Sequence, residues 1–147
     1  MSEATQLSRC SCGKCEVRIE QPPLARFHCH CSICRKLYQS DYADVVAVSA
    51  SAIDISADAD IHYDKYRSFP AVRRGTCKHC NEPVIGTLMG LLAFVPGRNY
   101  LDQKALPAPQ GRIFADQPAH DDMPTACSYW QSQVLVSRLI MAGMFRA

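Results

Sequence analysis

Cys29, Cys31 and Cys34 fall within the single short segment FHCHCSICRK at residues 27–36. Clustered thiolates are metal ligands first of all, and zinc is the ion they suit best. A closed structural zinc takes four protein ligands. A catalytic zinc characteristically takes three and keeps one position for water or substrate. The other cysteines are Cys10 and Cys12 with Cys15 close behind, Cys77 and Cys80, and Cys127 alone, which makes nine in all. An odd number cannot all pair within one chain. The start, MSEATQLSRC, has no charged segment followed by an apolar one, so no secretory signal is read there and a cytoplasmic chain is expected, where stable disulfides are uncommon.

Two partitions of the thiols compete. Cys12-x2-Cys15 and Cys31-x2-Cys34, separated by 15 residues, fit the general zinc spacing but leave Cys10, Cys29, Cys77 and Cys80 without a role. In the other partition, Cys10 and Cys12 join Cys77 and Cys80 in a four-thiolate site, and Cys29, Cys31 and Cys34 hold a second zinc. Cys15 then joins Val17 and Ile19 on an apolar strand face, as a small buried hydrophobe. If the three-thiol site is open, an added thiol would lose its proton on binding and its sulfur could attack a carbonyl carbon. If Cys127, Cys15 or a histidine completes it, it is a second structural site. Backbone alternation turns His30 away from a metal facing Cys29 and Cys31. His28 and His79 stay open as candidates, whereas His62 and His120 read as surface residues.

These groups must be positioned mainly by strands. Residues 15–20 alternate Cys15, Val17, Ile19 against Glu16, Arg18, Glu20, the period of a half-buried strand, and Gln21-Pro22-Pro23 ends it. Further β-like runs cover Asp44–Val48, Ile53–Ser56, Ile61–Tyr66, Val84–Leu88, Leu91–Val95 and Arg112–Ala115, separated by turn-rich pieces such as Pro96-Gly97-Arg98-Asn99. The expectation is a mainly antiparallel β protein. A short helix is expected over Ser32–Tyr38, and for the tail from Ser132 a helix is preferred over a strand. With 147 residues and no linker-like run, a single domain over 1–147 is expected. The apolar stretch VLVSRLIMAGMF (134–145) is broken by Arg138 and too short for a membrane span, though it could pair subunits in a homo-oligomer. Sixteen basic and 14 acidic side chains, scattered and leaving a net charge of +2, give no footprint for nucleic acid.

CSCG at 10–13, CHCSICR at 29–35 and CKHC at 77–80, in this order, resemble the motif set of the glutathione-dependent formaldehyde-activating enzyme family, which includes the centromere protein V relatives. The similarity covers residues 8–125 and leaves 126–147 as a tail of unassigned role. It implies a zinc-stapled β-tent of antiparallel strands with two zinc ions per chain. Cys10, Cys12, Cys77 and Cys80 would hold the structural ion, and Cys29, Cys31 and Cys34 the catalytic one. It also implies a carbon–sulfur lyase resembling S-(hydroxymethyl)glutathione synthase, acting on a small thiol such as glutathione and an aldehyde. Asn81 stands where the family usually has Gly, in a position asking for left-handed backbone that Asn tolerates. The loop RKLYQSDYADVV after Cys34 is bulkier than the family's small Gly-containing one, which points to a different substrate.

A tripeptide with two carboxylates needs cations near the metal. Arg35, adjacent to Cys34 and part of the motif, is the first candidate, ahead of Lys36, Arg73 and Arg74, for which solvated surface positions are the ordinary expectation. Tyr38 and Tyr42 are candidates to line a pocket. A non-catalytic zinc module for protein interaction is the alternative. Last comes a reductase that would need a metal-free reactive Cys127.

Overall fold

The computed structural model describes residues 5–65, 72–117 and 121–146, so the expectations for Tyr66 and His120 lie outside the described residues. It is mainly β, with ten strands among these residues: β1 (Gln6–Arg9), β2 (Glu16–Ile19), β3 (Ala25–Cys29), β4 (Ala43–Ser49), β5 (Ile53–Ile55), β6 (Ile61–Lys65), β7 (Val72–Cys77), β8 (Pro83–Leu88), β9 (Leu92–Pro96) and β10 (Arg112–Ile113). Helix α1 spans Ser32–Tyr38, as expected, and α2 spans Tyr129–Arg146, beginning three residues before the expected start. No helix among the described residues is long and apolar enough to cross a membrane.

The strands form a three-stranded sheet, β1-β2-β5, and a seven-stranded sheet, β10-β3-β4-β9-β8-β7-β6. Among the described strands all pairings are antiparallel except β10 with β3, which is parallel, as a mainly antiparallel protein allows. β4 lies inside the large sheet and reads ADVVAVS because both of its faces are covered. Val46 and Val48 pack with Cys15, Val17, Ile19 and Val95 in one core, toward the small sheet. Val45 and Ala47 pack with Phe27, Cys29, Cys34, Ile113 and Ile140 in a second core, under the two helices.

Three strands escaped the sequence reading. β1 (QLSR) shows little apolar alternation, β3 (ARFHC) overlaps the metal segment, and β7 (VRRGTC) has two arginines and a glycine that mask its period. β3 is locked to β4 by Arg26, whose Nε and Nη2 donate to Asp44 Oδ1 and Oδ2 at 2.9 and 2.7 Å. This bidentate pair is largely buried and fixes the strand that ends in Cys29.

The tail forms α2 because Ser132, Leu135, Val136, Leu139, Ile140 and Gly143 repeat at helical spacing on its inner side. Ser128 starts it, with its Oγ accepting from the Gln131 N–H at 3.2 Å. Ser132, fully buried, accepts from the Phe114 N–H at 2.9 Å and ties the first turn to the end of β10. Near its other end the helix crosses the backbone of Leu24 so closely that a Cβ on Gly143 would stand 2.6 Å from the Leu24 carbonyl carbon. Replacing a helical Gly by Ala ordinarily stabilises by up to about 1 kcal/mol. Here we expect the opposite sign: Gly143→Ala should lower stability by about 1–3 kcal/mol as α2 is pushed off β3, seen as a fall of several degrees in melting temperature.

Candidate metal centres and the adjoining cavity

Two local devices build the first cluster. After β1, Gly13 at φ +78° turns the chain, with its N–H bonded to the Cys10 carbonyl at 2.9 Å. After β7, Asn81 at φ +62° does the same beside Cys80, with its N–H on the Cys77 carbonyl at 2.8 Å, so Asn fills the left-handed position as expected of it. Backbone N–H groups of Cys15 and His79 point at the sulfurs of Cys10 and Cys77, each at 3.4 Å. The ligand atoms of Cys10, Cys12, Cys77 and Cys80 all lie within 4.8 Å of one another. Neighbouring sulfurs stand 3.5 Å (Cys10–Cys12) and 3.6 Å (Cys12–Cys77) apart. Four sulfurs at the usual ~2.3 Å from one zinc would stand about 3.8 Å apart, so the set fits a tetrahedral ion. Cys15 lies outside this set, completely buried, with its thiol directed at the Asp60 carbonyl at 3.5 Å and its pKa pushed up to about 12, chiefly by burial.

The second cluster sits where β3 meets α1. Cys29 closes the strand, Cys31 is the N-cap of the helix and Cys34 lies in its first turn. Cys31 Sγ accepts from the Cys34 N–H at 3.3 Å, doing with sulfur what a Ser or Asp oxygen usually does. The three ligand atoms also lie within 4.8 Å of one another, with Cys29–Cys31 at 3.5 Å and Cys34–Cys29 at 3.2 Å. Among the described residues no fourth Cys, His, Asp or Glu joins them. The three thiols share their charge unequally. Cys31 is held down to about 2 by hydrogen bonds from Cys29 and Cys34 together with the Cys34 N–H and the charge of Arg74, while Cys29, donating to Cys31, is raised. An all-sulfur donor set prepared to carry negative charge suits a soft divalent ion.

All three thiols line a cavity of about 410 Å³ between the large sheet, α1 and α2. Arg74, on β7, is the only charged side chain among the described residues that line it. Tyr38 also lines it and is buried, with the Arg98 guanidinium 5.1 Å from its ring centre. From the tail, Tyr129, Ser132, Gln133 and Val136 present one helical stripe to the cavity, at positions i, i+3, i+4 and i+7.

The other candidates fall elsewhere. Arg35 pairs with Asp116, Nη2 to Oδ2 at 2.6 Å, and is not among the lining residues. Lys36 is exposed, and the Arg73 guanidinium lies 5.1 Å from the Tyr63 ring centre. His30 stands beside Tyr42 with ring centres 5.4 Å apart, and His28 stacks on that same ring at 4.2 Å, so neither imidazole belongs to the thiol cluster. His79 and Lys78 both lie 3.3 Å from Asp60. Cys127 is exposed ahead of α2 and outside both clusters. The sequence reading ranked Arg74 below Arg35 and gave it a surface position as the ordinary expectation. The signal was available in the alternation of Val72 and Arg74 on one side of β7 against Arg73 on the other, once VRRGTC is read as a strand.

Fold and site together define a mainly β protein with a four-thiol cluster able to hold a metal and a three-thiol cluster that opens into a cavity. The chain belongs to the family described as glutathione-dependent formaldehyde-activating enzyme, which it matches over residues 5–117. That span contains both thiol clusters and Arg74, and α2 lies beyond it. No curated protein matches the chain.

Proposed function

We propose that the protein is a zinc-dependent carbon–sulfur lyase that joins a small thiol such as glutathione to an aldehyde, or cleaves the resulting hemithioacetal. The observation that carries this reading is the placement of Cys29, Cys31 and Cys34 on the wall of a 410 Å³ cavity with no fourth donor from the described residues. In the forward direction the thiol gives up its proton, its sulfur bonds to the carbonyl carbon, and the former carbonyl oxygen takes a proton to become the hydroxyl. Reversal breaks the same C–S bond. Zinc, held by the three cysteines, would supply the positive charge that makes an added thiol acidic at neutral pH. The rest falls to the chain: β3 and α1 hold the sulfurs in place, Arg74 adds positive charge to the cavity they line, and α2 with the sheet forms its walls. Cys10, Cys12, Cys77 and Cys80 would hold the structural ion.

We assign the anionic end of the substrate to Arg74, and to Arg35 the task of tying α1 to the segment after β10 through Asp116. Arg74→Ala should retain both metals and raise KM by roughly 10-fold to 100-fold, corresponding to a charge-assisted contact of about 1.5–3 kcal/mol. Arg35→Ala, which removes an exposed ion pair, should change KM by less than about fivefold. Exchange measurements of hemithioacetal formation on the zinc-loaded chain check both. A larger effect at Arg35 than at Arg74 would return the substrate contact to Arg35.

A further inference from the structure

The proposed adduct of glutathione and formaldehyde makes weak use of the cavity described above. A hydroxymethyl group has two heavy atoms and fills little more than the share of one water, ~30 Å³, whereas the cavity has about 410 Å³. Glutathione could fill that volume, but it carries two carboxylates and an ammonium group. Arg74 alone among the described lining residues is charged, and none of them is an acid that would meet an ammonium. Val72, Leu88, Phe94, Phe114 and Val136 supply much of the rest of the lining, with Tyr129, Ser132 and Gln133 as neutral polar neighbours. Charged groups taken into such surroundings lose hydration without replacement, while alkyl and aromatic groups gain about 0.8 kcal/mol per buried methylene.

The geometry points to a substrate class: we propose that the adduct handled at the three-thiol cluster carries an apolar alkyl or aromatic group of about five to ten carbon atoms, which occupies this cavity. This rests on the lyase reading and narrows it. The apolar group could enter on the aldehyde or on the thiol. In either case the atoms balance as before, since the thiol proton ends on the hydroxyl oxygen and the group itself is unchanged.

Binding is separated from turnover by inert thioethers. The zinc-loaded full chain is titrated calorimetrically with S-methyl-, S-butyl- and S-hexylglutathione. The expected result is a Kd that falls about threefold for each added methylene, about a hundredfold or more across the series. Val136→Trp, which narrows the cavity, should flatten that dependence. In turnover, glutathione is combined with aldehydes from formaldehyde to octanal, and formaldehyde with thiols from ethanethiol to octanethiol. A rise in kcat/KM with length in the first series places the apolar group on the aldehyde, in the second on the thiol, and either supports the proposal. Thioether affinities and rates that are flat or fall with length overturn it, while leaving the lyase reading intact provided short thiols still bind the zinc. If no thiol of either series alters the zinc environment, the lyase reading fails and this proposal falls with it.

Discussion

Cys10→Ser should cost the protein one of two zinc ions and its cooperative fold, whereas Cys15→Ser, five residues on, should keep both ions and melt as a folded protein. Cys10 and Cys12 follow β1 in the small sheet, while Cys77 and Cys80 flank the turn from β7 to β8 in the large one, so one ion would clamp the two sheets across more than 60 residues of chain. Structural zinc commonly contributes on the order of 10 kcal/mol of apparent binding energy, comparable with the whole net stability of a domain, about 5–15 kcal/mol. Losing a ligand from such a site therefore exceeds what the hydrophobic cores can offset. Cys15 is packed against the same core without belonging to the cluster, and its thiol is directed at the Asp60 carbonyl with the Cys77 sulfur beside it. A serine hydroxyl can keep that contact, so the cost is that of a polar group in an apolar site, about 1–3 kcal/mol. Zinc stoichiometry by native mass spectrometry, with thermal melts of both variants, checks the pair. Metal loss in Cys15→Ser with two ions retained in Cys10→Ser would reinstate the partition by simple spacing.

The second large effect is expected at Cys31. Its sulfur caps α1 by accepting the Cys34 N–H, and serine is among the best residues for that task. Cys31→Ser should therefore preserve the helix while reducing the three-thiol set to two. We expect the second zinc to be lost, the first kept, and the melting temperature to stay within a few degrees. Turnover of hemithioacetals should fall on the order of a thousandfold or more, since the ion's charge stabilisation is worth several kcal/mol. Cys34→Ser loses the same metal but also places a hydroxyl in the second core beside Tyr38 and Ala43, so its melting temperature should fall further. A Cys31→Ser protein that turns over at the original rate would remove the three-thiol cluster from the chemistry.

What the sequence disclosed follows from how local each signal is. Cys15, Val17 and Ile19 are almost completely buried, as their alternation implied, and Asn81 adopts the left-handed turn that its place after Cys80 required. α1 was legible because the helix begins on its own cysteine knuckle, with Cys31 as its N-cap. β3 and β7 were not, since polar or charged residues, His28 in one and Arg73 and Arg74 in the other, interrupt the apolar alternation of each strand. The proposed order of Arg74 and Arg35 differs from the sequence ranking for a related reason. Proximity in sequence favoured Arg35, but the charged side chain among the described residues lining the cavity is Arg74, while Arg35 pairs with Asp116, a partner 81 residues away. The tail could be read as a helix, but its contact with the cavity depends on Gly111 and Gly143 letting it approach β3, which no local pattern announces.

X-ray absorption at the zinc edge, on the two-zinc protein with and without glutathione, bears most directly on whether the three-thiol cluster is an open catalytic centre. With one four-sulfur site and one three-sulfur site, the average should be 3.5 protein sulfurs per zinc, rising to four with saturating glutathione as one added sulfur enters the second site. Cys31→Ser, holding only the first ion, should show four sulfurs throughout and ignore the thiol. An unliganded protein that already shows four protein ligands on both ions, with no response to glutathione, would contradict an open site and leave a protein-binding zinc module in its place.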